Sequence, residues 1–184
     1  MKTMKIKMSI LALFVLLISS CSVSDDSAIE ITSNDLVGTW TARSATIDDV
    51  VLNVTAPITT TLVGSGFGKN FNSSLTFSEN PNQVAVAGQS DFELTYTDLL
   101  GTETTETLTF DNIFFNNNFG LTNGTWTLNN NTLTLNEGGE IIEIRILSFS
   151  NGLLTFETNV NQAITLNGVT STVVGVANIQ IRKD

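Results

Sequence analysis

The chain has no histidine, one cysteine and two prolines, and only eight of its 184 residues are lysine or arginine. Each shortage closes off chemistry. Without histidine there is no imidazole general base, no imidazole metal ligand and no ordinary side chain that titrates near neutral pH. Ser-His-Asp and Cys-His nucleophiles are excluded, as is a zinc site built from cysteine and histidine. The single cysteine, Cys21, has nothing to pair with, so the folded part holds no internal disulfide. Any enzyme would have to work with carboxylates, Lys69 or Tyr96. The expectation is a protein that is not an enzyme and carries no cofactor or metal.

The few lysines are unevenly placed. Lys2, Lys5 and Lys7 precede an unbroken apolar run, Ile10–Ile18. That run is too short for a membrane-spanning helix, which takes about 20 apolar residues. A positive start, a short apolar middle and small residues before a cut make a secretory signal. Its end, Ile18-Ser19-Ser20-Cys21, resembles the lipobox of bacterial lipoproteins. The resemblance implies cleavage before Cys21 and acylation of Cys21, with palmitate among the chains. It also implies a protein held to the membrane by its N-terminal lipid, since several acyl chains on one residue anchor firmly where one does not. Ser22-Val23-Ser24-Asp25-Asp26 resembles the acidic export signal of surface lipoproteins of Bacteroidetes, which implies an outer-membrane protein exposed at the cell surface. Asp26-Ser27-Ala28 is similar to the O-glycosylation motif of that phylum, although a solvated linker has the same composition.

Removing residues 1–20 leaves 184 − 20 = 164 residues with five basic and 18 acidic side chains, a formal charge of 5 − 18 = −13. That is one domain and a tether. The boundaries read as a signal over 1–20, an acylated flexible tether over 21–34 and a domain over 35–184. So acidic a surface argues against nucleic acid, whose binding rests on Lys and Arg neutralising phosphates. It argues equally against laying the domain face on anionic lipid.

From Asp35 onward, Thr, Val, Ile, Leu and Phe alternate with polar residues, and Asn or Gly interrupts every eight to twelve residues. This is the texture of antiparallel strands. Strands are expected at Trp40–Ile47, Val50–Leu62 with Pro57 at an edge or bulge, Ser74–Glu79, Gln83–Ala87, around Phe92–Thr97, and Thr102–Phe110. Gly64, Gly66 and Gly68 read as a loop, and the Asn-rich Asp111–Phe119 as a wider one. Strands continue at Thr125–Leu128, Thr132–Leu135, Ile142–Ile146, around Leu154–Phe156, and Val173–Arg182, with Asn151-Gly152 a two-residue hairpin turn. The fold class is therefore all-β: an antiparallel up-and-down meander of about eight to ten strands, closed into a barrel so that no edge is exposed.

Gly-Thr-Trp occurs twice, at Gly38–Trp40 and Gly124–Trp126. With its surroundings, Leu36-Val37-Gly38-Thr39-Trp40 resembles the opening of the lipocalin-like lipoproteins of Bacteroidetes. The resemblance implies a lipocalin-like barrel whose base is closed by Gly38 and Trp40, with Arg182 of the last strand over the indole. The long opening and the midway acidic-aromatic motif of true lipocalins are missing.

Two functions follow. In the first, Phe77, Phe92, Tyr96, Phe110, Trp126 and Phe156 line a pocket for a small, largely apolar ligand. In the second, the same aromatics are packed core, and the protein meets an envelope partner through Asn112–Asn118 or Gly64–Lys69, with Phe114, Phe115 or Phe119 exposed. Asp48-Asp49 lacks the spaced ligands of a calcium loop and reads as a charged turn. Gly64–Lys69 lacks the Gly-Lys-Ser/Thr ending of a phosphate loop. Glu93 and Glu143 alternate with core residues and are expected to face water rather than each other.

Overall fold

The computed structural model describes residues 29–55, 59–112, 114, 124–166 and 168–184. One helical turn, α1 (Ser33–Leu36), precedes eleven strands: β1 (Gly38–Val54), β2 (Thr60–Lys69), β3 (Ser74–Ser78), β4 (Gln83–Ala87), β5 (Ser90–Thr97), β6 (Glu103–Phe110), β7 (Gly124–Asn129), β8 (Thr132–Glu137), β9 (Glu140–Ser150), β10 (Leu153–Leu166) and β11 (Val169–Lys183). All pairings are antiparallel. The sheet runs β11-β10-β9-β8-β7-β4-β3-β1-β2-β5-β6, and β11 pairs back onto β1. Eight strands thus close a barrel, and β2, β5 and β6 extend it.

The connectivity is a meander in which three passes are broken. β1 pairs with β3 along its first residues and with β2 along its second half. β4 and β5 follow the same way, β4 on β3 and β5 on β2, and β6 and β7 repeat the pattern on β5 and β4. The breaks lie side by side and form a crease. Asn72 N–H donates to Gln89 O at 3.0 Å, and the buried hydroxyls of Ser73 and Ser90 meet at 2.6 Å. Gly88 permits the close approach: its φ is +83°, and a Cβ there would stand 1.9 Å from Asn72 O.

Alternation decides which side chains fill the barrel. On β10, Leu154, Phe156, Thr158, Val160, Gln162, Ile164 and Leu166 are all buried, with exposed or half-buried residues between them. Each buried Leu, Ile or Phe contributes about 1.5–3 kcal/mol over leaving it in water.

Several boundaries differ from the sequence reading. The strand expected over Val50–Leu62 is two strands, with β1 ending at Val54 and β2 starting at Thr60. The glycine loop expected over 64–68 is the second half of β2. Here the glycines replace side chains so that rings can pack on bare backbone. A Cβ on Gly66 would lie 2.1 Å from Phe92 Cε1, and one on Gly68 would lie 2.3 Å from Phe71 Cζ. The last strand starts at Val169, four residues before the expected Val173.

The tether read as flexible over 21–34 is packed from Ile29 onward. Ile29 and Ile31 lie half-buried against the core, and Leu36 is fully buried. Asp35 and Thr32 form a capping box, with Thr32 N–H and Oγ1–H both donating to Asp35 Oδ2, at 2.8 and 2.7 Å. This end, where the chain enters, is the base of the barrel.

Candidate functional site

The base is sealed by a cation, but not by the one expected. Lys183 Nζ lies 5.6 Å from the centroid of the Trp40 ring and donates to Asp35 O at 2.8 Å, while Arg182 is exposed. Register explains the correction. Trp40 pairs directly with Lys183 and Thr41 with Arg182, so only Lys183 shares the face of the indole. Gly38 makes room for it: its φ is +129°, and a Cβ there would stand 3.0 Å from Lys183 Cε. Trp40 Nε1–H donates to Leu36 O at 2.7 Å, and Phe149 packs tilted against the indole at 6.3 Å. Gly38 and Trp40 therefore sit together at the base, and Lys183 takes the place assigned to Arg182. Cys21 lies outside the described residues.

The six candidate pocket aromatics are all buried, and five of them pack against a neighbouring ring. Phe77 and Trp126 pack edge to face at 5.7 Å, with Trp126 Nε1–H donating to Ser78 O at 2.9 Å. Phe92 and Phe110 pack edge to face at 6.4 Å on the β5–β6 hairpin. Phe156 meets Phe114 at 6.2 Å, and Phe114 is itself buried rather than exposed on a loop. Phe115 and Phe119 lie outside the described residues, as does most of Asn112–Asn118. Tyr96 is 7% exposed; burial first, then the carboxylates of Glu106 and Asp98, push its phenol above the ordinary 10.0. It is a neutral hydrogen-bonding group, not a base.

The carboxylate candidates are dispersed. Glu93 pairs with Lys69, and Glu143 is exposed on the outer face of β9. Asp48 and Asp49 form a β-bulge, with Asp49 at φ 52°. Among the described residues, no group of three or more Asp, Glu, Cys and His is placed to hold a metal ion.

The opening in the wall comes from strand lengths. β8 and β9 meet at the Glu137–Glu140 turn, the end of β9 away from the Ser150–Leu153 hairpin, while β10 continues to Leu166. Among the described residues, β9 pairs with β10 only through Leu153–Thr158, and the far half of β10 is bonded only to β11. Among the described residues, β6 pairs as a strand only with β5. These two strand edges face each other across a slit of about 310 Å³, walled by Leu108 and Phe110 on one side and Ala163 and Ile164 on the other.

On β11, one strand in from the slit, stands a hydroxyl with no partner in the protein. Ser171 is 1% exposed, and its Oγ makes no hydrogen bond. Ser171 is registered directly opposite Ile164, so the two side chains share the inner face at the slit. Gln162, also buried, lies on the same face. Sequence reasoning missed both polar residues. Their signal was present: Gln162 and Ser171 stand at core positions of an otherwise apolar alternation.

In comparisons with known proteins, no family model matches the chain, and no curated protein or solved structure matches it.

Proposed function

We propose that this is a lipid-anchored lipoprotein of the cell envelope, held at the outer membrane through Cys21, whose barrel binds a small apolar ligand bearing one hydrogen-bonding group. The observation that carries the reading is the Ser171 hydroxyl, buried and unpartnered behind the slit between β6 and β10. Leaving a hydroxyl unsatisfied in an apolar setting costs about 1–3 kcal/mol, so such groups mark a strain or a binding function. An apolar molecule entering between Leu108 and Ile164 and presenting a hydroxyl, amine or carbonyl would satisfy it. The Gly38–Trp40 resemblance and the lipobox at Cys21 support the lipocalin-like lipoprotein setting. Ile29 and Ile31, the first described apolar residues after the proposed anchor, pack at the base of the barrel.

The test uses the full-length lipoprotein in detergent and N-phenyl-1-naphthylamine, an apolar fluorophore with one N–H. Fluorescence enhancement that saturates at one probe per chain supports the reading, provided Ala163→Trp and Ser171→Val each weaken it at least fivefold. Binding that neither change affects, or no saturable binding, overturns it. Loss of lipid labelling at Cys21→Ser tests the anchor separately.

A further inference from the structure

We propose that the end of the barrel opposite the base is a docking surface for a cationic protein partner, with Leu99 and Leu100 as its apolar anchor. The proposal is independent of the ligand reading. Leu100 is 90% exposed and Leu99 63%, on the tip of the β5–β6 hairpin. The tip is firmly built. Asp98 Oδ1 accepts from the N–H groups of Leu100 and Thr102, each at 2.8 Å, while Asp98 N–H donates to Thr102 O at 2.8 Å and Gly101 N–H to Asp98 O at 3.0 Å. Gly101 takes the positive φ, +80°, that the turn needs. Asp98 and Gly101 thus specify the turn without help from the leucines. Two adjacent leucines displayed on a stiff turn are what a partner's apolar pocket takes as an anchor.

Charge selects the partner. Residues 44–68, 90–110 and 158–181 contain no lysine or arginine, and their described parts belong to β1, β2, β5, β6, β10 and β11. At this end they carry Asp48, Asp49, Asp98, Glu103 and Glu106; Asp91, registered opposite Lys69, and Glu93, paired with it, lie lower, by the crease. Asp48, Asp49 and Glu103 surround a hollow of about 330 Å³, edged by Val63, itself 61% exposed. After the signal, every basic residue, namely Arg43, Lys69, Arg145, Arg182 and Lys183, lies toward the base or at the crease. A rim of one sign around an apolar tip steers an opposite-sign surface onto it. The same rim repels anionic lipid and a second copy of itself.

The test places a photoreactive benzoylphenylalanine at Leu100 of the full chain in intact cells. The expected result is one discrete adduct with a protein that carries a net positive surface. Its yield should fall at least fivefold in the triple variant Asp48→Asn, Asp49→Asn, Glu103→Gln. It should fall likewise as salt shortens the Debye length from about 10 Å to about 3 Å. The same probe at Thr107, on the wall of β6, should give no such adduct. An adduct with lipid or with a second copy, an adduct whose yield ignores the charge changes, or no adduct at Leu100 overturns the proposal.

Discussion

Lys183 stands directly across from Trp40 in the β1–β11 ladder, its ammonium 5.6 Å from the ring centroid and bonded to the Asp35 carbonyl. One side chain therefore ties the last strand, the first strand and α1 together. Lys183→Met keeps most of the stem and removes the charge. It should lower stability by about 1–2 kcal/mol, combining the cation–π contribution with a charge-assisted hydrogen bond. Arg182→Ala, one residue earlier and facing water, should change stability by less than about 0.5 kcal/mol. Urea unfolding of both variants checks the assignment; equal losses would return Arg182 to the role that register denies it.

The same corner gives a pH dependence. The Asp35 carboxyl is held below its ordinary 3.8, first by the Thr32 hydroxyl, then by the Thr32 backbone N–H, with the Lys183 charge assisting against a small desolvation. A depressed folded pKa contributes stability above the unfolded pKa, and that stability is lost as pH falls through the folded value. The same direction holds for Asp91, whose carboxyl accepts from Asn70 and Thr109. Denaturant midpoints should thus be flat above about pH 5 and decline below the ordinary aspartate range. Thr32→Ala should make that decline shallower, and Asp35→Asn shallower still. A Thr32→Ala acid limb as steep as the parent's would show that the capping box does not set it.

Gly66 is a position where β2 tolerates no side chain without a shift of Phe92. A methyl there would stand 2.1 Å from Phe92 Cε1 and 3.0 Å from Glu93 O. Gly66→Ala should cost about 1–3 kcal/mol through overpacking. Phe92→Leu in the same chain should recover part of that loss, so the double-mutant cycle should show coupling beyond the ~0.5 kcal/mol of independent sites. Gly138 offers the contrast. A Cβ there meets nothing within 4 Å, and its φ of +62° alone resists substitution, so Gly138→Ala should cost only about 1 kcal/mol.

Gly66 also shows where the sequence was legible and where it was not. Period-two burial on β9, β10 and β11 was readable because each strand is long and regular, and Asn151-Gly152 marked its hairpin by composition. The glycines of β2 were read as a loop because glycine in a strand has meaning only once the ring it accommodates, Phe92, is placed across from it. The crease at Ser73 and Ser90 was invisible for a related reason: its stitching pairs residues from different passes. The aromatic set occupies buried positions of its strands' alternation. Sequence alone could not show that Phe77 would pack on Trp126, Phe92 on Phe110 and Phe156 on Phe114. The slit was hidden because it depends on β8 and β9 stopping short of β10, a difference in lengths rather than a motif.

Ser171 turns that slit into a measurable trade-off. Its Oγ is buried without a partner in the protein, so Ser171→Ala removes an unsatisfied group at nearly constant volume. The ligand-free variant should be more stable than the parent by up to about 1 kcal/mol, against the usual direction of a core substitution. Ser171→Val should keep that benefit only if the slit behind Ile164 has room for two methyl groups. Both variants should bind N-phenyl-1-naphthylamine more weakly, because the polar contact is gone while the apolar walls at Leu108 and Ile164 remain. Unfolding midpoints measured with and without the fluorophore separate the two effects. A higher midpoint alone and a smaller ligand-induced rise together would place Ser171 as a group kept for binding at the expense of stability. A lower midpoint in both variants would mean that the hydroxyl is already satisfied in the folded protein, and the site would lose its polar contact.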